Sequence, residues 1–376
     1  MARIVTVYSD ERHAARLTDM SYIRWFEISR ALAACGHEVD IATAEFKWRP
    51  RQPTVNLGDN LRRVPLAHVD WSRYDVVKTL FHRGFEVLRK RGGADHPFII
   101  SKLGSVVGPE DMEGIYFYGE RRARLYATQE RIARRSRFVT VLTEPARALW
   151  RDMFGQGQEL LLVPGAVRRD IPAPTGDPYP PDRRPRAVFA GNFYTTDARR
   201  SQPEAGRVLV DRLNALGRAA GARGIRLYVV GPGEASLLDE EHVTYLGVVD
   251  YEASWAYLHH ADVGVLVSAG PFMHNNESTK IYHYLRAGLP FVAERGFPND
   301  DLATRSGLVL HVDPGDTEGM ADALVEAVAR EWDRARGVEA VLAAHTWAHR
   351  AAVYHRLLAE PAPSGRAGDA PAPPRA

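Results

Sequence analysis

Residues 275–292 read NNESTKIYHYLRAGLPFV, and this stretch decides how the rest of the chain is interpreted. Ser278 or Thr279 can begin a helix there, because a side-chain oxygen accepts a hydrogen bond from an unpaired backbone N–H. Gly288 ends the helix, and Pro290 prevents its continuation before the next apolar segment. A helix that passes through a glycine turn into a strand is typical of an alternating α/β fold.

Lys280 stands in the first turn of this helix, which is an unfavourable place for a cation. A helix N-terminus already carries about half a positive charge and unpaired N–H groups. Only 5 of the 49 basic residues are lysine, so Arg is the usual cation of this chain. A compact ammonium at a helix start therefore indicates a bound anion, and a phosphate fits best.

The composition is that of a soluble protein with two domains. The chain has 376 residues, 45% hydrophobic and 26% charged, and its formal charge of +2 gives no indication of a nucleic-acid partner. No run of about 18 apolar residues is present to cross a bilayer, and the first residues read as a strand rather than a signal peptide. Cys35, the single cysteine, excludes an intrachain disulfide. We expect a cytoplasmic protein.

The first part of the chain predicts a parallel sheet over residues 1–170. A strand at residues 3–8, a helix at 23–35 closed by Gly36, and a strand at 37–43 form a βαβ unit. Further strands are predicted at 75–77, 97–101, 138–143 and 159–163.

A second alternation follows a proline-rich break. Residues 171–186 contain six prolines and are predicted to be a linker. A second βα domain is predicted at 187–344, a helix at 345–360 and a disordered tail at 361–376. Its predicted strands are 186–191, 226–231, 243–247, 262–268, 290–294 and 307–312.

The second half resembles the donor-binding domain of GT-B glycosyltransferases, most closely the family 4 group. The segments that carry the resemblance are AVFAGNF (187–193), LYVVGPGE (227–234), residues 243–268 and STKIYHYLRAGLPFV (278–292). Residues 28–39 and 345–358 are similar to the family's opening unit and closing helix. The resemblance implies two Rossmann-like domains facing across a cleft, with the last helix crossing back to the first domain.

The implied activity is transfer of a hexosyl or deoxysugar group from a nucleotide-diphospho sugar to an acceptor hydroxyl. The acceptor would be a glycan, a lipid-linked molecule or a secondary metabolite, in polysaccharide or antibiotic biosynthesis. Lys280 would neutralise the leaving diphosphate, and with no D-x-D motif in the sequence we expect neither a metal nor another cofactor. The implied donor-site residues are Gly191, Asn192, Gly231, Leu246, Val248, Glu277, Ser278, Thr279, Lys280 and His283.

His283 departs from the family pattern, which places a ribose-binding glutamate at this position. A neutral imidazole has one acceptor where a carboxylate has several. The family's upstream glutamate falls on Asn275, and Glu277 nearby could replace it. One hypothesis is a deoxythymidine diphosphate sugar, which lacks the 2′-hydroxyl. The alternative is that His283 is a packed histidine with satisfied hydrogen bonds.

The acceptor is expected at the carboxyl ends of the N-terminal strands, where ligands bind in parallel sheets. This rule selects Asp10 and His13, then Lys102 and Ser105, and Glu120 is a further acidic candidate. If the enzyme inverts the anomeric configuration, Asp10 or His13 is the expected general base. If it retains the configuration, as the resemblance implies, the leaving phosphate can take the proton.

Three alternatives remain open from the sequence. The stretch 121–137 carries seven arginines, so it is either a solvated helix face or a weak contact with anionic lipid. The chain could be a nucleotide-sugar epimerase, which shares the fold. It could also be a catalytically silent relative that binds a nucleotide.

Overall fold

The computed structural model describes residues 1–9, 18–44, 54–108, 119–173, 176–194, 203–270 and 275–359. Two parallel sheets, each with its helices, follow one another along these residues. The predicted α/β class with two Rossmann-like domains is thereby confirmed.

The first sheet has the strand order β3-β4-β2-β1-β5-β6-β7-β8 in the described residues. All its pairs are parallel except β3 with β4. Its strands are β1 (Arg3–Val7), β2 (Glu38–Thr43), β3 (Val55–Gly58), β4 (Leu61–Pro65), β5 (Val76–Leu80), β6 (Ile99–Lys102), β7 (Phe138–Val141) and β8 (Glu159–Leu162). Its helices are α1 (Met20–Ala34), α2 (Phe81–Lys90), α3 (Gly119–Arg135) and α4 (Glu144–Phe154).

The second sheet is parallel, with the order β11-β10-β9-β12-β13-β14. Its strands are β9 (Arg186–Ala190), β10 (Arg226–Val230), β11 (Val243–Tyr245), β12 (Val263–Leu266), β13 (Phe291–Glu294) and β14 (Val309–Val312). The helices are α5 (Pro203–Ala222), α6 (Tyr251–His259), α7 (Thr279–Arg286), α8 (Asp300–Ser306), α9 (Thr317–Ala329), α10 (Arg334–Ala344) and α11 (Trp347–Ala359).

Every predicted strand is present, and most of them are buried on both faces, as a strand covered by helices must be. The hairpin of β3 and β4 was not predicted. Most of β3 is exposed, so its sequence lacks the apolar run that reveals the buried strands. Asn60, with φ of 58°, forms its turn.

The order of the strands places a crevice in each sheet. In each sheet the order reverses at one strand: β1 lies between β2 and β5, and β9 lies between β10 and β12. Ligands bind in such sheets beyond the carboxyl ends of these strands. The two sheets therefore each provide one half of a candidate site.

Helix α11 returns to the first domain, as the resemblance implies, and contacts α1. Trp347, Ala351 and Tyr354 share one apolar cluster with Ile4 and Trp25. The hydroxyl of Tyr354 lies 3.1 Å from Thr140 Oγ1 in β7. The two domains are thus joined both by the chain between the sheets and by this last helix.

The proline-rich connection is packed against the second domain. Its described residues, 171–173 and 176–185, contain no helix or strand. Tyr179 is buried there against Tyr228, and its hydroxyl donates to the carbonyl oxygen of Tyr257. The domain boundaries remain a prediction, and the tail at 361–376 lies outside the described residues.

Lys78 is a buried cation in β5, beneath α11. Among the described residues its Nζ has no hydrogen-bond partner, and it lies 4.8 Å from the centre of the Tyr354 ring. Burial lowers the pKa of Lys78 to about 7. The fold therefore carries a charge that it does not satisfy.

Replacing Lys78 by Met should stabilise the protein at neutral and acidic pH. The folded-state pKa lies below the ordinary value of 10.5, so the destabilisation is fully present below about pH 7 and disappears as the pH rises towards 10.5. We expect Lys78→Met to raise the free energy of unfolding at pH 6 by on the order of 2 kcal/mol. Urea unfolding from pH 6 to 10 measures this.

Lys90→Met is the matched control, because Lys90 is exposed at the end of α2. It should leave both the stability and its pH dependence unchanged. A Lys78→Met protein that is less stable than the wild type at pH 6 would show that the ammonium is a stabilising group.

Candidate functional site

A cavity of about 570 Å³ lies between the carboxyl edges of the two sheets. On one side it is lined by residues that follow β1, β5 and β6 and by the start of α1. On the other side it is lined by residues that follow β9 and β10 and by the start of α7. The crevices of the two domains therefore form one site.

The start of α7 is held by Asn299 rather than by a side-chain cap. The Ser278 N–H donates to Asn299 Oδ1 at 3.0 Å, and Asn299 Nδ2 donates to the Ser278 carbonyl oxygen at 2.8 Å. Ser278 is the N-cap residue, but its side chain makes no capping bond. Ser278 is thus at the predicted position, but the predicted side-chain hydrogen bond is wrong, and the first-turn N–H groups remain available beside the cavity.

Lys280 points an unsatisfied charge at this cavity. Its side chain is half-buried, and its Nζ lies 4.4 Å from the centre of the Phe189 ring. Burial lowers the pKa of Lys280 to about 8. Among the described residues its ammonium has no hydrogen-bond or ion-pair partner. A phosphate would supply one, as its position in the sequence predicts.

The glycine turns after β9 and β10 leave room for Lys280. Gly191 has φ of +154°, and a Cβ at this position would lie 2.7 Å from Lys280 Cε. Gly231 has φ of +128°, and a Cβ there would overlap the carbonyl oxygen of Gly191. Both positions require glycine because the two turns and the lysine occupy adjacent space.

Only some of the other predicted donor-site residues line the cavity. Asn192 lines the cavity, and its Oδ1 accepts from the Tyr194 N–H at 2.7 Å. Thr279 also lines the cavity. Leu246 and Val248 are not among the described lining residues, whereas Val249 is. Val248 is 51% exposed.

His283 is a buried, neutral histidine with both ring nitrogens engaged. Its Nδ1 lies 2.7 Å from the carbonyl oxygen of Thr279, so Nδ1 carries the proton and donates. Its Nε2 then accepts from the Tyr251 hydroxyl at 3.1 Å. Burial, with the charges of Arg24 and Lys280, lowers its pKa to about 4. Its single acceptor is therefore already occupied.

Glu277 is a buried link between the domains. One carboxylate oxygen accepts from the Gly165 N–H of the first domain, and the other accepts from the Tyr282 hydroxyl at 2.7 Å. The side chain is 4% exposed. Both oxygens are thus engaged by protein groups, although Glu277 is also part of the cavity lining.

The expected acceptor residues are only partly brought together. Ser105 lines the cavity. Lys102 is buried instead, donating from Nζ to the Val163 carbonyl oxygen at 2.9 Å, and burial lowers its pKa well below the ordinary value. Glu120 is exposed in the first turn of α3. Asp10 and His13 lie outside the described residues.

Several lining residues were not predicted from the sequence. Phe81, His82 and Arg83 follow β5 and line the cavity. The rule about carboxyl ends selects them once the strand is extended to Leu80, three residues beyond the predicted end. Arg24 in α1 and Tyr251 in α6 also line the cavity, but no sequence signal marks them.

A metal site is not indicated at the cavity by the described residues. One group of possible ligands is present among the described residues, and it consists of Asp239, Glu241 and His242, whose ligand atoms lie within 4.8 Å of one another. These residues precede β11, at the sheet edge opposite the cavity. The expected independence of a metal stays a prediction.

The contact of residues 121–137 with lipid also stays a prediction. Arg131 and Arg135, within α3, form ion pairs with Glu86 and Asp95. Among the described residues, no helix combines the length and apolar character needed to span a bilayer.

Residues 184–330 match a family model described as "Glycosyl transferases group 1". No match was found among curated proteins. Solved structures with the same fold include a sucrose-phosphate synthase from Thermosynechococcus elongatus, with a TM-score of 0.68, 17% identity, and coverage of 95% of this chain and 98% of that chain. An α,α-trehalose 6-phosphate synthase from Burkholderia multivorans has a TM-score of 0.60, 13% identity and 95% coverage of both chains.

A third similar structure is of a protein bound to a nucleotide sugar. It is "Trehalose-6-phosphate from E. coli bound with UDP-2-fluoro glucose", with a TM-score of 0.61, 12% identity, and coverage of 95% of this chain and 98% of that chain. At these identities the likeness establishes the fold. The family model assigns residues 184–330 to the group 1 glycosyltransferases, and the chain as a whole has the GT-B fold of these structures.

The protonation state of His283 can be checked directly. We expect the imidazole to be neutral at pH 6 with its proton on Nδ1, because burial lowers its pKa to about 4. Nitrogen-15 NMR of histidine-labelled protein distinguishes the two tautomers. Tyr251→Phe should shift the Nε2 resonance and leave the Nδ1 proton in place. Titration of the ring between pH 6 and 7 would contradict the described packing.

Proposed function

We propose that this protein transfers a glycosyl group from a nucleotide-diphospho sugar to an acceptor hydroxyl in the cavity between the domains. The observation that carries the proposal is Lys280, a cation at the start of α7 that has no hydrogen-bond or ion-pair partner among the described residues. The family model over the second domain supports the same activity. The donor would bind on the side of β9, β10 and α7, and the acceptor on the side of β1, β5 and β6.

The catalytic role of Lys280 follows from where charge develops. As the glycosidic bond breaks, negative charge grows on the leaving diphosphate, and a nearby fixed cation stabilises that transition state. The first-turn N–H groups of α7 add the helix dipole on the same side. Gly191 and Gly231 allow the backbone and the lysine to approach the phosphates closely.

The acceptor side offers polar groups suited to an acceptor with hydroxyl groups. Tyr8, Ser21 and Ser105 line it, together with His82. The Nε2–H of His82 donates to Gln129 Oε1 at 3.0 Å, and burial lowers the pKa of His82 to about 4, so its ring is neutral. If the reaction inverts configuration, Asp10 or His13 remains the proposed base. If it retains configuration, the leaving phosphate takes the proton.

The donor nucleotide is proposed to be of the uridine type, with deoxythymidine as the competing possibility. A structure of similar fold is described with UDP-2-fluoro glucose, which makes UDP the first nucleotide to test. In the described part of the cavity, the carboxylate of Glu277 and the acceptor nitrogen of His283 are both occupied by protein donors. Neither is available to recognise a ribose 2′-hydroxyl.

Lys280→Ala should lower turnover by on the order of a hundredfold, judged from the loss of single electrostatic donors in other active sites. The rate of UDP release from a UDP-sugar, and UDP affinity by calorimetry, measure the loss. Lys90→Ala is the matched control, because it removes an exposed lysine from the end of α2. Unchanged turnover and unchanged UDP affinity in Lys280→Ala would refute the mechanism.

UDP and dTDP should bind with affinities within about tenfold, which corresponds to about 1.4 kcal/mol. The reason is that the described cavity offers no unoccupied carboxylate to bind the 2′-hydroxyl, which ribose has and deoxyribose lacks. Calorimetric titration of both nucleotides into the full chain gives the ratio. UDP binding more than tenfold tighter would show that a ribose-specific group exists and would count against a deoxythymidine donor.

A further inference from the structure

Arg350 shows how this protein satisfies a buried guanidinium. It lies in α11 at the domain interface and is 8% exposed. Its nitrogens all find acceptors among nearby protein groups. Those acceptors are the carbonyl oxygens of Pro164, Gly165 and Ala344 and the Nδ1 of His345.

Arg168 is satisfied in a different way. It lies in the chain that leaves β8 and is 9% exposed. Its guanidinium is held between two carboxylates, Glu27 of α1 and Glu252 of α6, and it packs 5.1 Å from the centre of the Tyr251 ring. A buried cation is normally paired in this manner, since an unpaired one is costly.

Arg24 is as buried as Arg168 but lacks such partners. It lies in α1 of the first domain, is 9% exposed, and lines the cavity. Its Nε has no hydrogen-bond partner among the described residues. Its charge acts on His283 of the second domain, where it adds to the effect of burial in lowering the pKa. Arg24 therefore places a positive charge close to the donor side from the opposite domain.

The described cavity lining does not neutralise this charge. It contains four cationic side chains, Arg24, Arg83, Arg121 and Lys280, and two carboxylates, Asp19 and Glu277. The carboxylate of Asp19 accepts from the Ser21 N–H at 2.7 Å, at the start of α1. The carboxylate of Glu277 is held by Gly165 and Tyr282. Among the described residues, Arg24 and Lys280 thus line the cavity from opposite domains without an ion pair to either carboxylate.

We propose that Arg24 binds a phosphoryl group of a substrate, as a second anion-binding residue contributed by the first domain. The inference rests on the proposed function, because it assigns Arg24 to the same cavity as the nucleotide sugar. A guanidinium presents several N–H donors in a fixed fork that matches phosphate oxygens. The phosphoryl group has two possible sources, the donor diphosphate or a phosphate carried by the acceptor.

Calorimetry on the full chain separates the two sources. UDP is titrated first, and inorganic phosphate is then titrated into the UDP complex, for the wild type, Arg24→Gln and Arg24→Lys. If the donor is the source, Arg24→Gln should weaken UDP binding tenfold or more. If the acceptor is the source, UDP binding should be unchanged, and the UDP complex of the wild type should bind phosphate while that of Arg24→Gln should not. Arg24→Lys should lose less in either case.

Arg30→Gln is the matched control. Arg30 is on the same helix, is half-exposed, and pairs with Glu27 outside the cavity lining. It should leave UDP and phosphate binding unchanged. The melting temperature adds a readout that separates binding from structure: ligand-free Arg24→Gln should be at least as stable as the wild type, because a poorly paired buried charge is removed.

Unchanged UDP affinity in Arg24→Gln, together with no Arg24-dependent phosphate binding to the UDP complex, would overturn the inference. A lower melting temperature with unchanged binding would assign Arg24 a structural role instead. If Arg24→Gln does not fold, Arg24→Lys is decisive, since full retention of both affinities with a point charge excludes recognition by the fork. Lys280→Ala keeps the two proposals separate. Loss of UDP binding there, with neither UDP binding nor phosphate binding altered in the Arg24 variants, refutes this inference alone.

Discussion

The buried carboxylate of Glu277 is the contact on which the site depends. It joins the Gly165 N–H of the first domain to the Tyr282 hydroxyl of α7. Asn275 reinforces the link, because its Nδ2 donates to the Val106 carbonyl oxygen and its own carbonyl oxygen accepts from Thr143. A buried charge has to be satisfied by nearby donors, so this segment can dock only where the first domain provides them. The start of α7 is thereby positioned against the opposite domain.

The described part of the cavity also contains cations that are not paired with carboxylates. Three carboxylates near the cavity connect structural elements. Glu277 links the two domains, and Glu27 and Glu252 both pair with Arg168. Within the described residues Lys280 contacts the Phe189 ring but has no ion-pair partner. The Nε of Arg24 has no hydrogen-bond partner there either. A cavity with unsatisfied cations and an uncapped helix start is unfavourable when empty of anions and favourable for phosphates. The proposed donor diphosphate would therefore stabilise the two domains in contact.

Local patterns predicted most of the fold and selected Lys280 at the start of α7, where phosphate binding stays a prediction. Strands buried on both faces have continuous apolar sequences, and the helix ended by Gly288 has its own stop signals. Lys280 could be selected because a cation at a helix start conflicts with the dipole. The exposed β3 has no such signal. The predicted strand at 75–77 ended three residues before β5 does, so Phe81, His82 and Arg83 were not recognised as the residues that follow it. His283 left two interpretations open, and the structure places both its nitrogens in hydrogen bonds within the protein.

The sequence by itself determined the alternating α/β architecture and the helix start that carries Lys280, while the family resemblance implied the return of the last helix. These depend on patterns within about twenty neighbouring residues, where periodicity and capping act. Only the tertiary structure decided that Glu277 is a link between the domains, that Lys102 is buried against Val163, and that Arg24 faces the cavity. Each depends on a partner far along the chain, Gly165 being 112 residues from Glu277. Whether a charged side chain is paired or available is set by such distant contacts, and no local pattern records them.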